Sequence, residues 1–178
     1  MSKLRLVVAA LVAATAALLA PTAPASAAAA PRVLYYDTSR AAEFVAAVHQ
    51  GAANWNSSVT SVRLEPVTAG RRADITVSAG NGWPYASVRS LGRGSIVMGR
   101  QAVTIGHHPP RIAAHEFGHI LGLPDLRTGL CTDLMSGSSA PASCRNAFPT
   151  STEAARVQAN FATSRQIPAA VYAESAPR

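Results

Sequence analysis

His115 and His119 stand four residues apart with Glu116 beside the first of them, and this trio could do chemistry. On a helix, residues at that spacing lie on one face, so both imidazoles can meet a single metal ion. Glu116 is rotated to the side, where it can reach a water on the metal as general base without ligating the metal itself. Gly122 can take a left-handed conformation without a Cβ clash, ending the helix so that the chain turns back, and Pro124 keeps the helix from resuming. The return offers Asp125 as a third ligand and leaves the fourth tetrahedral position to water. Three protein ligands and one open position describe a catalytic zinc site rather than a structural one.

The elements that must position these residues can be read on both sides of them. Residues 33–36 alternate as a brief strand, ended by the helix-capping chemistry of Asp37, Thr38 and Ser39. Over residues 40–55, Ala41, Phe44, Val45, Val48, Ala52 and Trp55 recur at helical spacing and predict an amphipathic helix packed on a sheet. Strands are expected at 62–65, 75–77, 85–91 and 95–98, the last two as a hairpin across Gly92 and Gly94. The histidine helix spans 110–121, with prolines in its first turn, where N–H groups have no intrahelical partner anyway. Thr150 and Glu153 form a capping box that opens a third helix carrying Ala154, Val157 and Phe161 on one face. This is an α/β (α+β) domain with one mixed sheet. His49 falls alone on its helix and reads as a satisfied or solvent-facing side chain. His107 and His108 are neighbours whose side chains diverge on an extended chain, so a solvated loop is expected in preference to a ligand pair.

Residues 1–27 read as a secretory leader: Lys3 and Arg5 precede an apolar run at 6–20, too short to be a comfortable membrane anchor, and Ala25-Ser26-Ala27 is a small-residue cleavage site. The zinc domain is expected over 28–162, with 163–178 a loosely docked tail to which no chemistry is assigned. Setting Lys3 and Arg5 aside from 16 basic residues, against 9 acidic ones, leaves +5. The arginines are scattered, with only Arg71 and Arg72 adjacent and no aromatic-basic motif, so no nucleic-acid partner is expected. In the oxidising compartment that a leader implies, Cys131 and Cys144 read as a disulfide closing a loop of about 14 residues, worth roughly 3 kcal/mol. Thiolate ligation is the weaker alternative, because the pair lacks the short spacing of zinc cysteines.

With Gly122, Asp125 and a methionine ten residues further on, residues 115–125 resemble the metzincin zinc-protease signature in the form seen in the snapalysin family, where aspartate replaces the third histidine. Leu123-Pro124-Asp125, Gly129, Cys131, Leu134-Met135-Ser136-Gly137, Ser143-Cys144 and Asn146 are similar to the same pattern, as is Trp55-Asn56-Ser57-Ser58-Val59 upstream. The resemblance covers about residues 33–161. It implies a metzincin-like zincin domain: a mixed, mostly parallel five-stranded sheet packed on two helices, an active-site helix, a Met-turn and a C-terminal helix. It makes Met135 the Met-turn residue, an apolar floor beneath the ligands. It gives the strand near 85–90 as the sheet edge that pairs with an extended substrate, and a preference for aromatic residues just after the scissile bond.

Two positions depart from the family. A tyrosine commonly stands two residues after the aspartate ligand; this chain has Arg127, a cation of different reach. No Asp or Glu lies between Gly99 and Ala114, so the calcium site found before the zinc helix in some members is not expected. Family enzymes often carry a propeptide; the domain here is expected to begin almost directly after the leader, and if no propeptide is present, latency must come from elsewhere or be lacking.

The resulting expectation is a secreted zinc endopeptidase, with Zn2+ on His115, His119 and Asp125, Glu116 as general base, and Met135, Cys131 and Cys144 as structural residues. It acts as a monomer on protein or peptide substrates, with no membrane association after leader removal. A secreted protein of the same fold that binds zinc but turns over little or nothing is the rival. A basic cell-wall adhesin would hold no metal.

Overall fold

The computed structural model describes residues 30–163 and 165–175, so the leader read at 1–27 lies outside the described residues. Strand β1 (Arg32–Arg40) turns Leu34 and Tyr36 into the core. It pairs in parallel with β2 (Val62–Pro66) on one side and with β3 (Ile75–Gly80) on the other. Strand β3 pairs in parallel with β5 (Arg93–Gly99), which receives β4 (Tyr85–Ser90) antiparallel as its hairpin partner. These are the five expected strands. A sixth, β6 (Ala170–Ala173), adds antiparallel to the far edge of β4, giving the order β2-β1-β3-β5-β4-β6. Residues 170–173 of the tail expected to dock loosely therefore belong to the sheet.

Asp37, Thr38 and Ser39 do not cap a helix. Pairing with Thr76 and Ser78 of β3 holds this stretch extended through a register shift, where Asp37 Oδ1 accepts the Ser39 N–H at 2.8 Å. The helix begins later, through a 3-10 turn at Ala42–Phe44, as α1 (Val45–Ser58). A short helix α2 (Arg100–Thr104) leads toward the histidine helix α3 (Pro109–Ile120). His49 is satisfied on α1, its Nδ1 lying 2.7 Å from the Tyr36 hydroxyl.

Helices α1 and α3 pack side by side against the sheet. The approach is close because Gly51 has no side chain: a Cβ there would lie 2.8 Å from the Ala114 backbone nitrogen. Trp55, wholly buried, donates its indole N–H to the Ala114 carbonyl at 2.8 Å, tying α1 to the turn of α3 just before His115. Helix α4 (Ser151–Ala162) opens on the expected capping box, with Thr150 Oγ1 accepting from Glu153 N–H and the Glu153 carboxylate accepting from Thr150 N–H. Among the described residues, no helix is long and apolar enough to cross a membrane.

Candidate active site

Helix α3 is buried from Arg111 through Ile120, so His115, Glu116 and His119 face the protein interior rather than bulk water. Its end is set by Gly122, at φ 91°, which lets the Gly122 and Leu123 N–H groups close on the His119 and Gly118 carbonyls. That turn has a direct use: the Leu123 carbonyl it brings back accepts from His119 Nδ1 at 2.8 Å. His115 Nδ1 donates likewise to the Leu134 carbonyl at 3.0 Å. A carbonyl oxygen can only accept, so both Nδ1 atoms carry the proton and both Nε2 atoms turn a lone pair inward.

The loop that supplies Leu134 is held from three sides. Cys131 and Cys144 are bridged, with Cα atoms 5.3 Å apart. Arg111, 5% exposed, reaches from α3 to donate to the carbonyls of Cys131, Asp133 and Asn146 at 2.6–2.9 Å. Glu153, beyond its capping role, accepts the N–H groups of Leu134 and Met135 at 3.3 and 2.7 Å. Met135 is fully buried beneath α3, in space that exists because Gly118, between the two histidines, lacks a Cβ that would press on its sulfur.

The inward-facing atoms form a tight group. His115 Nε2 lies 3.0 Å from His119 Nε2 and 3.3 Å from Asp125 Oδ1, which is 3.5 Å from His119 Nε2. Glu174, from the segment just after β6, brings Oε1 to 3.1 Å from His115 Nε2, and the four atoms lie within 4.8 Å of one another. Four lone-pair donors at this spacing need a positive charge among them. With metal–ligand bonds of about 2.0–2.1 Å, ligand atoms of a tetrahedral ion stand about 3.3 Å apart, close to the spacings here. Asp125 Oδ1, buried with only the two imidazole nitrogens near it at 3.3 and 3.5 Å, is the oxygen such an ion would satisfy. The residues therefore fit a metal ion.

Without the ion, a proton serves. Burial disfavours a charged His115, but hydrogen bonds to Asp125 and Glu174 and the nearby Glu116 charge prevail and push its pKa up to about 10. His119 moves the other way, lowered chiefly by burial. Asp125 and Glu174 are both lowered: burial opposes ionisation, and the hydrogen bonds and charge of His115, joined at Asp125 by His119, overcome it. Glu116 is fully buried with neither carboxylate oxygen partnered, and burial pushes it up to about 8. It shares with His115 and Glu174 a cavity of about 350 Å³, open mouth included, walled by Trp83, Ile112 and Leu134.

His107 and His108 precede α3 as a loop, yet they are half-buried rather than solvated, because both form part of this cavity wall. Arg127 sits at φ 49° and donates to Asp125 Oδ2 at 3.0 Å and to Glu174 Oε2 at 3.4 Å. Glu174 and Tyr172, whose ring stacks on His119 at 4.2 Å, had no assigned role in the sequence. The only local signal for them is a single acidic residue following the short alternation Val171-Tyr172-Ala173.

Among known proteins, residues 31–164 match the Streptomyces extracellular neutral proteinase (M7) family. The chain is 43% identical over 125 residues to the extracellular small neutral protease of Streptomyces sp. (strain C5), a match covering 68% of this chain and 53% of that protein. It is 40% identical over 132 residues to the protein of that name from Streptomyces lividans, covering 73% and 57%. With the Streptomyces caespitosus protein it shares 40% over 129 residues, covering 71% of this chain and 95% of the relative. The chain thus spans little more than half the length of the first two relatives. A family match that takes in the first five strands and all four helices leaves one conclusion: the chain belongs to the Streptomyces extracellular neutral proteinase (M7) family.

Proposed function

We propose that this chain is a secreted zinc-dependent endopeptidase. The observation that carries the reading is the convergence of His115, His119 and Asp125 beside Glu116, a buried carboxylate with no partner of its own. Extracellular small neutral proteases among its relatives support both the reaction and the destination.

His115 and His119 would hold zinc through Nε2, and Asp125 through Oδ1. Zinc, when bound, supplies Lewis acidity to the scissile carbonyl and acidity to the attacking water. Glu116 receives the proton from that water and delivers it to the leaving amine, a transfer its exclusion from solvent favours. The Nδ1–H bonds to Leu134 and Leu123 keep both imidazoles in the ligating tautomer. The outer edge of β4, taken by β6 in this structure, would offer its N–H and C=O groups to an extended peptide once that strand leaves it. The apolar wall of Trp83, Ile112 and Leu134 supports a preference for aromatic residues after the scissile bond. The test is casein hydrolysis by the zinc-loaded chain and its Glu116→Gln variant, with and without a chelator. Measurable, chelator-sensitive hydrolysis at equal rates by both proteins, each holding one zinc, would overturn the assignment.

A second reading has its own observation. With Glu174 beside the three ligands, the site has four protein donors, the number found in structural zinc centres that bind without turnover.

A further inference from the structure

The outer edge of β4 and the ligand cluster are both occupied by the same short piece of this chain. Strand β6 runs antiparallel to β4, pairing Ala170 with Val88, Val171 with Ser87, Tyr172 with Ala86 and Ala173 with Tyr85. Glu174 N–H continues the pairing onto the Pro84 carbonyl at 3.1 Å. In a strand, alternate side chains share a face. Tyr172 and Glu174 therefore turn inward together while Val171 stays 67% exposed. Tyr172 lies flat on His119, its plane 4° from that of the imidazole.

Every contact of the Glu174 carboxylate is built. Oε1 faces His115 Nε2; Oε2 accepts the Ser138 N–H at 2.7 Å and the Arg127 guanidinium at 3.4 Å. The Ser138 N–H is presented by the reversal at Gly137, where a Cβ would stand 2.5 Å from Glu174 Oε1. Arg127 also holds Asp125, so one cation bridges two carboxylates that would otherwise repel. The residue departing from the family's tyrosine is thus the one that clasps the tail.

We infer that residues 170–174 are an internal peptide ligand of the active site, adding a strand to β4 and supplying Glu174 as a fourth metal ligand, so that the chain is latent while the segment is docked. The inference rests on the endopeptidase reading. It turns the four-donor site of the second reading into one state of an enzyme, because the fourth donor arrives on a removable strand. Only residues 163–169 separate α4 from β6, so the segment acts at an effective concentration of about millimolar, well above a dilute substrate.

The test uses the full-length zinc- or cobalt-loaded chain, the Glu174→Ala variant, and the Tyr172→Ala, Glu174→Ala double variant, with folding checked by circular dichroism. Acetohydroxamate, a metal-directed probe, is titrated into the cobalt forms and followed in the visible spectrum. Removing Glu174 is expected to tighten probe binding about tenfold or more, to weaken zinc affinity, and to raise kcat/KM on a peptide substrate by about tenfold or more. Activity and zinc affinity moving in opposite directions is a signature that loss of a merely structural contact does not produce. A synthetic peptide of residues 166–177 should then inhibit the double variant competitively, and its Glu174→Ala counterpart much less. If probe affinity, zinc affinity and kcat/KM are all unchanged in folded variants, the inference is wrong and the protease reading stands. If the probe binds more tightly yet no form cleaves peptide, the docked carboxylate is upheld, the claim of latency fails, and the protease reading fails with it. If the variants do not fold, the probe's exclusion from the wild-type cobalt protein decides: free access of the probe overturns the inference.

Discussion

Glu153 Oε1 accepts a 2.7 Å hydrogen bond from the Met135 N–H, so the carboxylate that caps α4 also supports the turn beneath the two histidines. The same carboxylate takes the N–H groups of Leu134 and Thr150. Leu134 in turn gives its carbonyl to His115. A helix cap and a ligand's tautomer are therefore linked through three residues. In Glu153→Ala, buried N–H groups lose their acceptor at about 1–3 kcal/mol each. A total loss of about 2–4 kcal/mol is expected in urea denaturation, together with weaker zinc binding. Unchanged stability would remove Glu153 from this role.

Glu116 is best tested where the tail no longer competes. In a Glu174→Ala background, Glu116→Gln should lower kcat by about 10²–10⁴-fold, the usual span for a lost general base. Zinc stoichiometry measured by atomic absorption should stay at one per chain.

The raised His115 pKa gives zinc uptake a definite pH dependence. Below about 10 the metal-free imidazole keeps its proton, and ligation requires the neutral ring. Zinc binding at pH 7 should therefore release a proton, and affinity should climb with pH toward that value. Calorimetry in two buffers of different ionisation enthalpy measures the release directly; identical apparent enthalpies would contradict it. Stability of the metal-free chain follows the same shift. The His115 contribution is complete below its ordinary value near 6.5 and is lost as pH rises through about 10.

The Cys131–Cys144 bridge closes the loop that carries Leu134 and Met135. Replacing both cysteines by serine should cost about 3 kcal/mol, seen as a lower Tm. Arg111 still holds Cys131, Asp133 and Asn146 through their carbonyls, so the loop should keep its path and the chain its zinc. Loss of zinc stoichiometry in the folded variant would show that the bridge, rather than Arg111, sets the loop.

Where a role depends on residues within a few positions of one another, the amino-acid order was enough. His115 and His119 share a face because they are four apart, Gly122 ends their helix because it tolerates φ 91°, and Thr150 with Glu153 caps α4 through a three-residue spacing. Resemblance extended this to the first five strands, but it made β4 the sheet edge, a place that β6 takes. The reading went astray where a distant partner decides. Asp37 to Ser39 carry good capping chemistry, but the ladder with β3 claims them for a strand. Arg127 could be read only as a changed side chain until Asp125 and Glu174 stood on either side of it. Residues 170–173 are too few to announce a strand, since what makes them one is the edge that β4, some 85 residues earlier in the chain, offers for pairing. Glu174 lies 59 positions from His115, and a lone acidic residue after a short alternation does not point there. Only tertiary pairing brings that carboxylate to the cluster, because a four-donor site is a property of converging side chains and not of any one stretch of sequence.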